Sequence, residues 1–598
     1  MNKIPERKEI KESDKWNLDS LFKSEEEWEK ELAEFNKLVT EASKYKNTLA
    51  SSPEKLAECL EYLNKLGMIE EKLGSYAHLK YSEDAGDNKN QEKLAKYTSA
   101  ATKGEAETSF ISPEITAIPE NIMAKFFEHN RIKPFSVYLN KLLKFKPHIL
   151  SDNEEKLLAL QIESNQTAKK AFSALTDVDM DFGTVVTKEG EKPLSQSTFS
   201  SFLIDQDRDV RKSAYNKFYN LYDIHKHTLA TLFAGSLHLD VYHSKIRKYD
   251  SCRSRALFPD KVPESVYDNL VSCVRNNLGE LHKYYRLRKE VLKLDALHLY
   301  DVYVPLVSEI KVKHSYEQAV TAVVESLSIL GDEYCDVLRN GLLNGWVDRY
   351  ENKGKRSGAF SAGSFTGEPY ILMNFKEDVL RDVFTLTHEG GHSMHSWYST
   401  RNNPFQHYSY TIFEAEVAST FNEQFLAVHL HKKADNNNMK AYLLCKQIDD
   451  IIATIFRQTM FAEFEHKVHD MMEKGIPVTL ESLRTTYRGL LKDYFGPETA
   501  LETVSDLEGL RIPHFYRAFY VYKYATGLSA AIALSERVLN GGEKEKNDYL
   551  GFLKSGGSKY PLESLKLAGV DMESPEPVNA ALGKFSTLVE ALKKTIAL

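Results

Sequence analysis

The chain has 598 residues and a mass of 68.3 kDa, more than a single hydrophobic core supports and enough by length for about four units of ~150 residues. Its 42 % hydrophobic and 27 % charged residues describe an ordinary globular composition, and a formal net charge of −8 disfavours non-specific nucleic-acid binding. With 29 Gly and 18 Pro, turn formers fall below the usual ~12 %, which argues for long helices, and no run of ~18 uncharged apolar residues suggests a membrane span.

The opening MNKIPERKEIKESDKW lacks an apolar core, so no secretory signal is expected. Ser24 followed by Glu27 is a capping-box signature, and Trp28, Leu32, Phe35 and Leu38 then recur at helical intervals. Further long helices are expected at about 52–82 and 85–108, giving an N-terminal helical lobe over residues 1–195. The texture changes at GTVVTKEGEKPLSQSTFS, where a β-prone run from Thr184 to Thr187 meets a Glu-Gly turn. Residues 196–598 are expected to form the catalytic domain. The run LYDVYVPLV, around 298–306, and ILMNF at 371–375 read as strands, and Gly358, Gly363 and Gly367 suit a small sheet with tight turns. Neither GxGxxG nor GxxxxGK[ST] occurs, so nucleotide chemistry has no support. The five cysteines (Cys59, Cys252, Cys273, Cys335, Cys445) form no CxxC pair, which argues against a thiolate metal site and fits a reducing cytoplasm.

The segment from Leu386 to His395, LTHEGGHSMH, stands apart. His388 and His392 are four apart, so on a helix both imidazoles project from one face and can reach one zinc ion at ~2.0–2.1 Å. Glu389 is placed to act as a general base on water. With 19 His in the chain, on the order of 0.04 chance matches to HExxH are expected, so chance is a minor explanation. Gly390 and Gly391 each cost ~1 kcal/mol inside a helix, which suggests close approach of another backbone or a substrate. Cleavage chemistry of this kind needs a carboxylate from a second helix. FEAEVASTFNE supplies it: Phe413, Val417, Phe421 and Phe425 form an apolar stripe, while Glu416 and Glu423 share a different face. Glu416 leads as the ligand with Glu423 orienting an imidazole, and the reverse assignment stays open from spacing alone. The HExxHxxGxxH pattern is excluded, because His395 and Tyr398 occupy its last two positions.

Farther on, RIPHFYRAFYVYKYATG (511–527) reads as a helix starting at Pro513 and ending or bending at Gly527. Its tyrosines could be aromatic core or phenol donors to an oxyanion, and spacing does not choose among Tyr516, Tyr520 and Tyr522.

Together HEGGHSMH, FEAEVASTFNE and RIPHFYRAFYVYKYATG resemble the oligoendopeptidase F branch of the thimet-oligopeptidase family of zinc metallopeptidases. KWNLDSLF near the start and FLKSGGSKYPLESLKLAGVDM near the end extend the likeness over nearly the whole chain. The resemblance implies a mainly α fold, a large two-lobed helical shell enclosing a deep channel, with a small β-sheet near the HExxH helix. It implies one zinc ion per chain held by His388, His392 and Glu416, with Glu389 as general base. It carries the transition-state tyrosine to Tyr522, with His514 beside it as a donor, and a substrate-contacting role to Tyr516. SAGSFTGEPY would pair with an extended peptide by strand addition. The activity implied is endopeptidase cleavage of short oligopeptides in the cytoplasm, with no nucleic-acid or membrane partner. A peptidyl-dipeptidase or carboxypeptidase on the same zinc core, or a helical peptide-binding protein with a vestigial metal site, are the competing functions.

Overall fold

The computed structural model describes residues 4–307 and 313–596 and is 71 % helical, as the shortage of turn formers predicts. Contacts divide the chain into two units. The first comprises residues 1–147, 311–429 and 534–570, and the second comprises residues 148–310, 430–533 and 571–598. The texture change expected to end an N-terminal lobe at 195 falls inside the second unit, where Thr184–Thr187 and Gly190–Pro193 form an antiparallel hairpin closed by the Glu189-Gly190 turn.

In the first unit, the helix Glu25–Val39 starts at Ser24, whose Oγ accepts the Glu27 N–H at 3.3 Å. Glu27 reaches back to the Lys23 amide rather than to that of Ser24. Its stripe of Trp28, Leu32, Phe35 and Leu38 is buried against Leu66, Leu73, Tyr76 and Ala77 of the long helix Pro53–Glu83. The Trp28 indole N–H donates to the Leu73 carbonyl at 3.2 Å, so the one polar atom of that side chain is satisfied where it is buried. The same core continues into Tyr370 and Leu372 of a three-stranded sheet. There Val347–Asp348 pairs in parallel with Tyr370–Leu372, which pairs antiparallel with Phe360–Ala362 in the register Ser361 to Ile371. Buried Asp348 takes Lys355 Nζ at 2.7 Å and both arms of the Arg7 guanidinium, which also reaches Glu83 at 2.9 Å. The N-terminal segment, the long helix and the sheet are thereby clamped into one frame. Phe360–Ala362 is one of the two outer strands of that sheet, and it faces the helix Leu380–Asn402, with Ser361 Oγ 2.9 Å from Ser393 Oγ.

The second unit is built mainly from the helices Arg208–Ile224, Lys226–Ile246, Glu264–Asn276, Leu278–Val291, Arg457–Glu473 and Leu480–Phe495. The strand expected at 298–306 is reduced to Leu297–His298, paired in parallel with Thr499–Ala500, and the chain then turns through a 3-10 segment, Leu299–Asp301. The cause is Asp301. Its buried carboxylate accepts the His298 amide at 3.1 Å and both Arg208 and Arg211, which closes the turn and stops the strand. All five cysteines are free, and no helix among the described residues is long and apolar enough to cross a membrane.

Candidate metal centre

Leu380–Asn402 and Ile412–Lys433 are both long helices, and residues 412–429 of the latter lie in the first unit with the whole of the former. Phe413, Val417, Phe421 and Phe425 are buried, as their stripe predicts. Gly391 explains how the two helices approach. A Cβ at that position would sit 2.6 Å from Ser419 Cα and 2.7 Å from the Ala418 carbonyl oxygen, so only glycine admits the second backbone.

This close approach brings His388, His392 and Glu416 together, with one ligand atom from each lying within 4.8 Å of the others. The two imidazole Nε2 atoms are 3.2 Å apart, and Glu416 Oε2 is 3.7 Å from His388 Nε2. On its other side His388 offers Nδ1 to Glu423 Oε1 at 2.7 Å, and His392 hydrogen-bonds the backbone of Ala415. These second contacts orient the two rings so that both Nε2 atoms face the same point. Two imidazole nitrogens and one carboxylate oxygen converging in this way are a donor set suited to a divalent cation of the zinc type. Glu416 and Glu423, equivalent by spacing, differ in what they face: Glu416 the convergence point, Glu423 the far side of His388.

Electrostatics sharpen the picture. Burial lowers both imidazoles; for His388 the Glu423 carboxylate overrides this and lifts it to about 9, whereas for His392 the charge of His388 adds to it and the pKa falls to about 3. Burial also pushes the Glu389 carboxyl up to about 7, against the pull of His388. Glu389 is 7 % exposed and is held by the backbone N–H of Ser361, on an outer strand of the sheet. Sequence reasoning did not find Ser361, because a backbone donor leaves no side-chain signature. His395 is core: it is buried and stacked on Tyr410 at 3.6 Å between ring centres.

His514, Tyr516 and Tyr522 lie in the second unit. The helix expected across 513–527 is broken. Pro513–Tyr516 forms a single 3-10 turn, and a new helix begins at Tyr522 and runs through Gly527 to Asn540. Between them Phe519 adopts φ +53°, a left-handed conformation rare for a bulky side chain, and its amide donates to the buried Glu465 carboxylate at 2.7 Å. Tyr522 is fully buried against Tyr267, at 5.4 Å between ring centres, and burial raises its phenol so that it stays protonated. Tyr516 packs on Phe172 at 4.6 Å, and its buried hydroxyl has no protein partner among the described residues. His514 is exposed, nearly parallel to Tyr520, and its pKa is lowered by partial burial and by Arg517.

Residues 201–584 match Peptidase family M3, and residues 114–182 match Oligopeptidase F. The chain is 42 % identical to the "Oligoendopeptidase F homolog" of Borreliella burgdorferi, over 98 % of this chain and 99 % of that one. It is 41 % identical to "Oligopeptidase PepF" of Bacillus subtilis, over 100 % of this chain and 89 % of that one. A solved structure of oligoendopeptidase-F from Enterococcus faecium superposes with a TM-score of 0.74 at 31 % identity, covering 96 % of this chain and 99 % of that one.

Proposed function

Because the chain belongs to peptidase family M3 and is a metallopeptidase acting on oligopeptides, we propose that it hydrolyses internal bonds of short peptides with one zinc ion held by His388, His392 and Glu416. The observation that carries this reading is the convergence of the two Nε2 atoms and the Glu416 carboxylate, with Glu423 orienting the His388 ring from behind. When bound there, zinc supplies a Lewis acid that acidifies water and polarises a scissile carbonyl.

The rest of the chemistry falls to the chain. Glu389 takes a proton from the attacking water and returns it to the leaving amine, and a carboxyl raised to about 7 is matched to both transfers near neutral pH. The Ser361 amide fixes its orientation. Tyr522, kept protonated by burial, donates its phenol hydrogen to the oxyanion, with His514 as a further donor and Tyr516 touching substrate. The outer strand Phe360–Ala362, paired on one side only, supports strand addition by an extended substrate. Free cysteines fit work in the reducing cytoplasm.

The test is mass spectrometry of a mixture of short peptides after incubation. Cleavage at internal bonds is expected, lost with a chelator and restored by zinc. Glu389→Gln should keep its zinc and lose nearly all turnover. Release of only terminal residues or dipeptides, or chelator-resistant cleavage, would refute the reading.

A further inference from the structure

The second unit contains a partly enclosed cavity of about 320 Å³, within the ~300–1,000 Å³ range of small-ligand sites. Its walls include Phe199, Leu203, Tyr219 and Phe495. Among the described residues, its ionised lining consists of Arg457, Arg511 and Glu508, two cations against one carboxylate. Glu508 is committed to Arg457, with both oxygens 2.7 Å from the same guanidinium nitrogen, and it also accepts the Tyr487 hydroxyl at 2.7 Å. Arg511 is left with a long approach to Glu508, at 3.5 Å, and its Nε–H given to Tyr219 Oη at 3.2 Å. A quarter of its side chain remains accessible. Tyr219, accepting from Arg511, keeps its own hydroxyl hydrogen to donate.

A guanidinium without a dedicated carboxylate, set among aromatic walls, is costly unless an anion completes it. The excess is one charge, and apart from Gln196 and Ser200 the remaining lining is apolar or aromatic, so the complement is a singly charged head on a mainly apolar body. None of these residues belongs to the metal-binding group, and nothing in the proposed hydrolysis uses them. We infer that this cavity is a binding site for a small monocarboxylate with an aryl or branched alkyl body, its carboxylate taken by Arg511 and Tyr219. A planar carboxylate matches the guanidinium fork, as a phosphate with two charges and no apolar body does not.

The experiment titrates 3-phenylpropionate into the intact, chelator-treated protein by calorimetry in chloride-free buffer, so that carboxylate binding to metal does not contribute. Saturable binding at one site per chain is expected, with 3-phenylpropanamide and acetate each at least tenfold weaker. Arg511→Met should weaken binding at least tenfold. Ser200→Trp, at an exposed lining position that leaves the charges intact, should plug the cavity and abolish binding even if Arg511→Met fails to fold. Absence of saturable binding, equal affinity for the amide, unchanged binding in Ser200→Trp, or acetate and chloride binding as well as the aryl acid (a simple ion site) would each overturn the proposal.

Discussion

Glu423 shows how a single side chain can matter without touching the reacting atoms. Its hydrogen bond to His388 Nδ1 turns the opposite nitrogen toward the ligand cluster, so Glu423→Ala should lower metal affinity about 10–100-fold while Glu423→Gln, which keeps an acceptor, loses less. Equilibrium dialysis against a zinc buffer reads this, and equal losses in both variants would contradict it. Tyr522→Phe should reduce kcat by roughly 10²–10³ with little change in KM, since the hydroxyl is assigned to the oxyanion and not to ground-state binding. An unchanged kcat would return Tyr522 to the aromatic core that already surrounds it. At this scale the sequence was most informative where chemistry requires a spacing. The His388–His392 pair is legible because four residues make about one turn. Glu416 and Glu423 were not separable by periodicity, because seven residues make about two turns and leave both on one face. Only the direction in which each carboxylate points distinguishes them.

At the scale of elements, the packing of two helices is set by one missing methyl. Gly391→Ala places a Cβ against Ser419 Cα and the Ala418 carbonyl, neither of which can yield as a flexible side chain would. We expect a loss of about 1–3 kcal/mol in the first unit, together with weaker zinc retention, because separating the helices separates His388 from Glu416. Denaturant unfolding and metal content measured on the same sample test this. A second element-scale prediction concerns Glu71, on the helix Pro53–Glu83, whose carboxylate accepts the Phe365 amide at 2.8 Å. Burial raises it to about 7, so the folded state holds a proton that the unfolded chain releases near 4.5. Its contribution therefore falls as pH rises between those values, and Glu71→Gln should flatten the decline in stability from pH 5 to pH 8. A steeper decline in the variant would show the sign to be wrong. The helices at 25–39 and 53–83 were readable from caps and stripes. The break at 517–521 was not, because it depends on a left-handed Phe519 held by Glu465, 54 residues earlier in the chain. Local propensity holds no record of such a partner.

For the whole molecule, low turn-former content foretold a helical protein, but length and texture did not foretell the division of the chain. Each unit is assembled from three separate stretches, since long-range packing rather than a linker defines it. The proposed ligands and the general base, residues 388–416, lie in the first unit, while Tyr522, His514 and Tyr516 lie in the second. Metal binding to the folded state should then stabilise by linkage, and the added amide protection should concentrate in 380–429. Hydrogen exchange with and without chelator reads the difference, and protection confined to the second unit would contradict the assignment.

The most direct test of the central claim is zinc stoichiometry by elemental analysis after dialysis, for the natural chain and for Glu416→Ala and Glu423→Ala, each paired with hydrolysis of a short peptide. One zinc per chain is expected in the natural protein, with zinc and activity both largely lost in Glu416→Ala and only partly reduced in Glu423→Ala. Full zinc retention in Glu416→Ala would show that the carboxylate ligand has been misassigned.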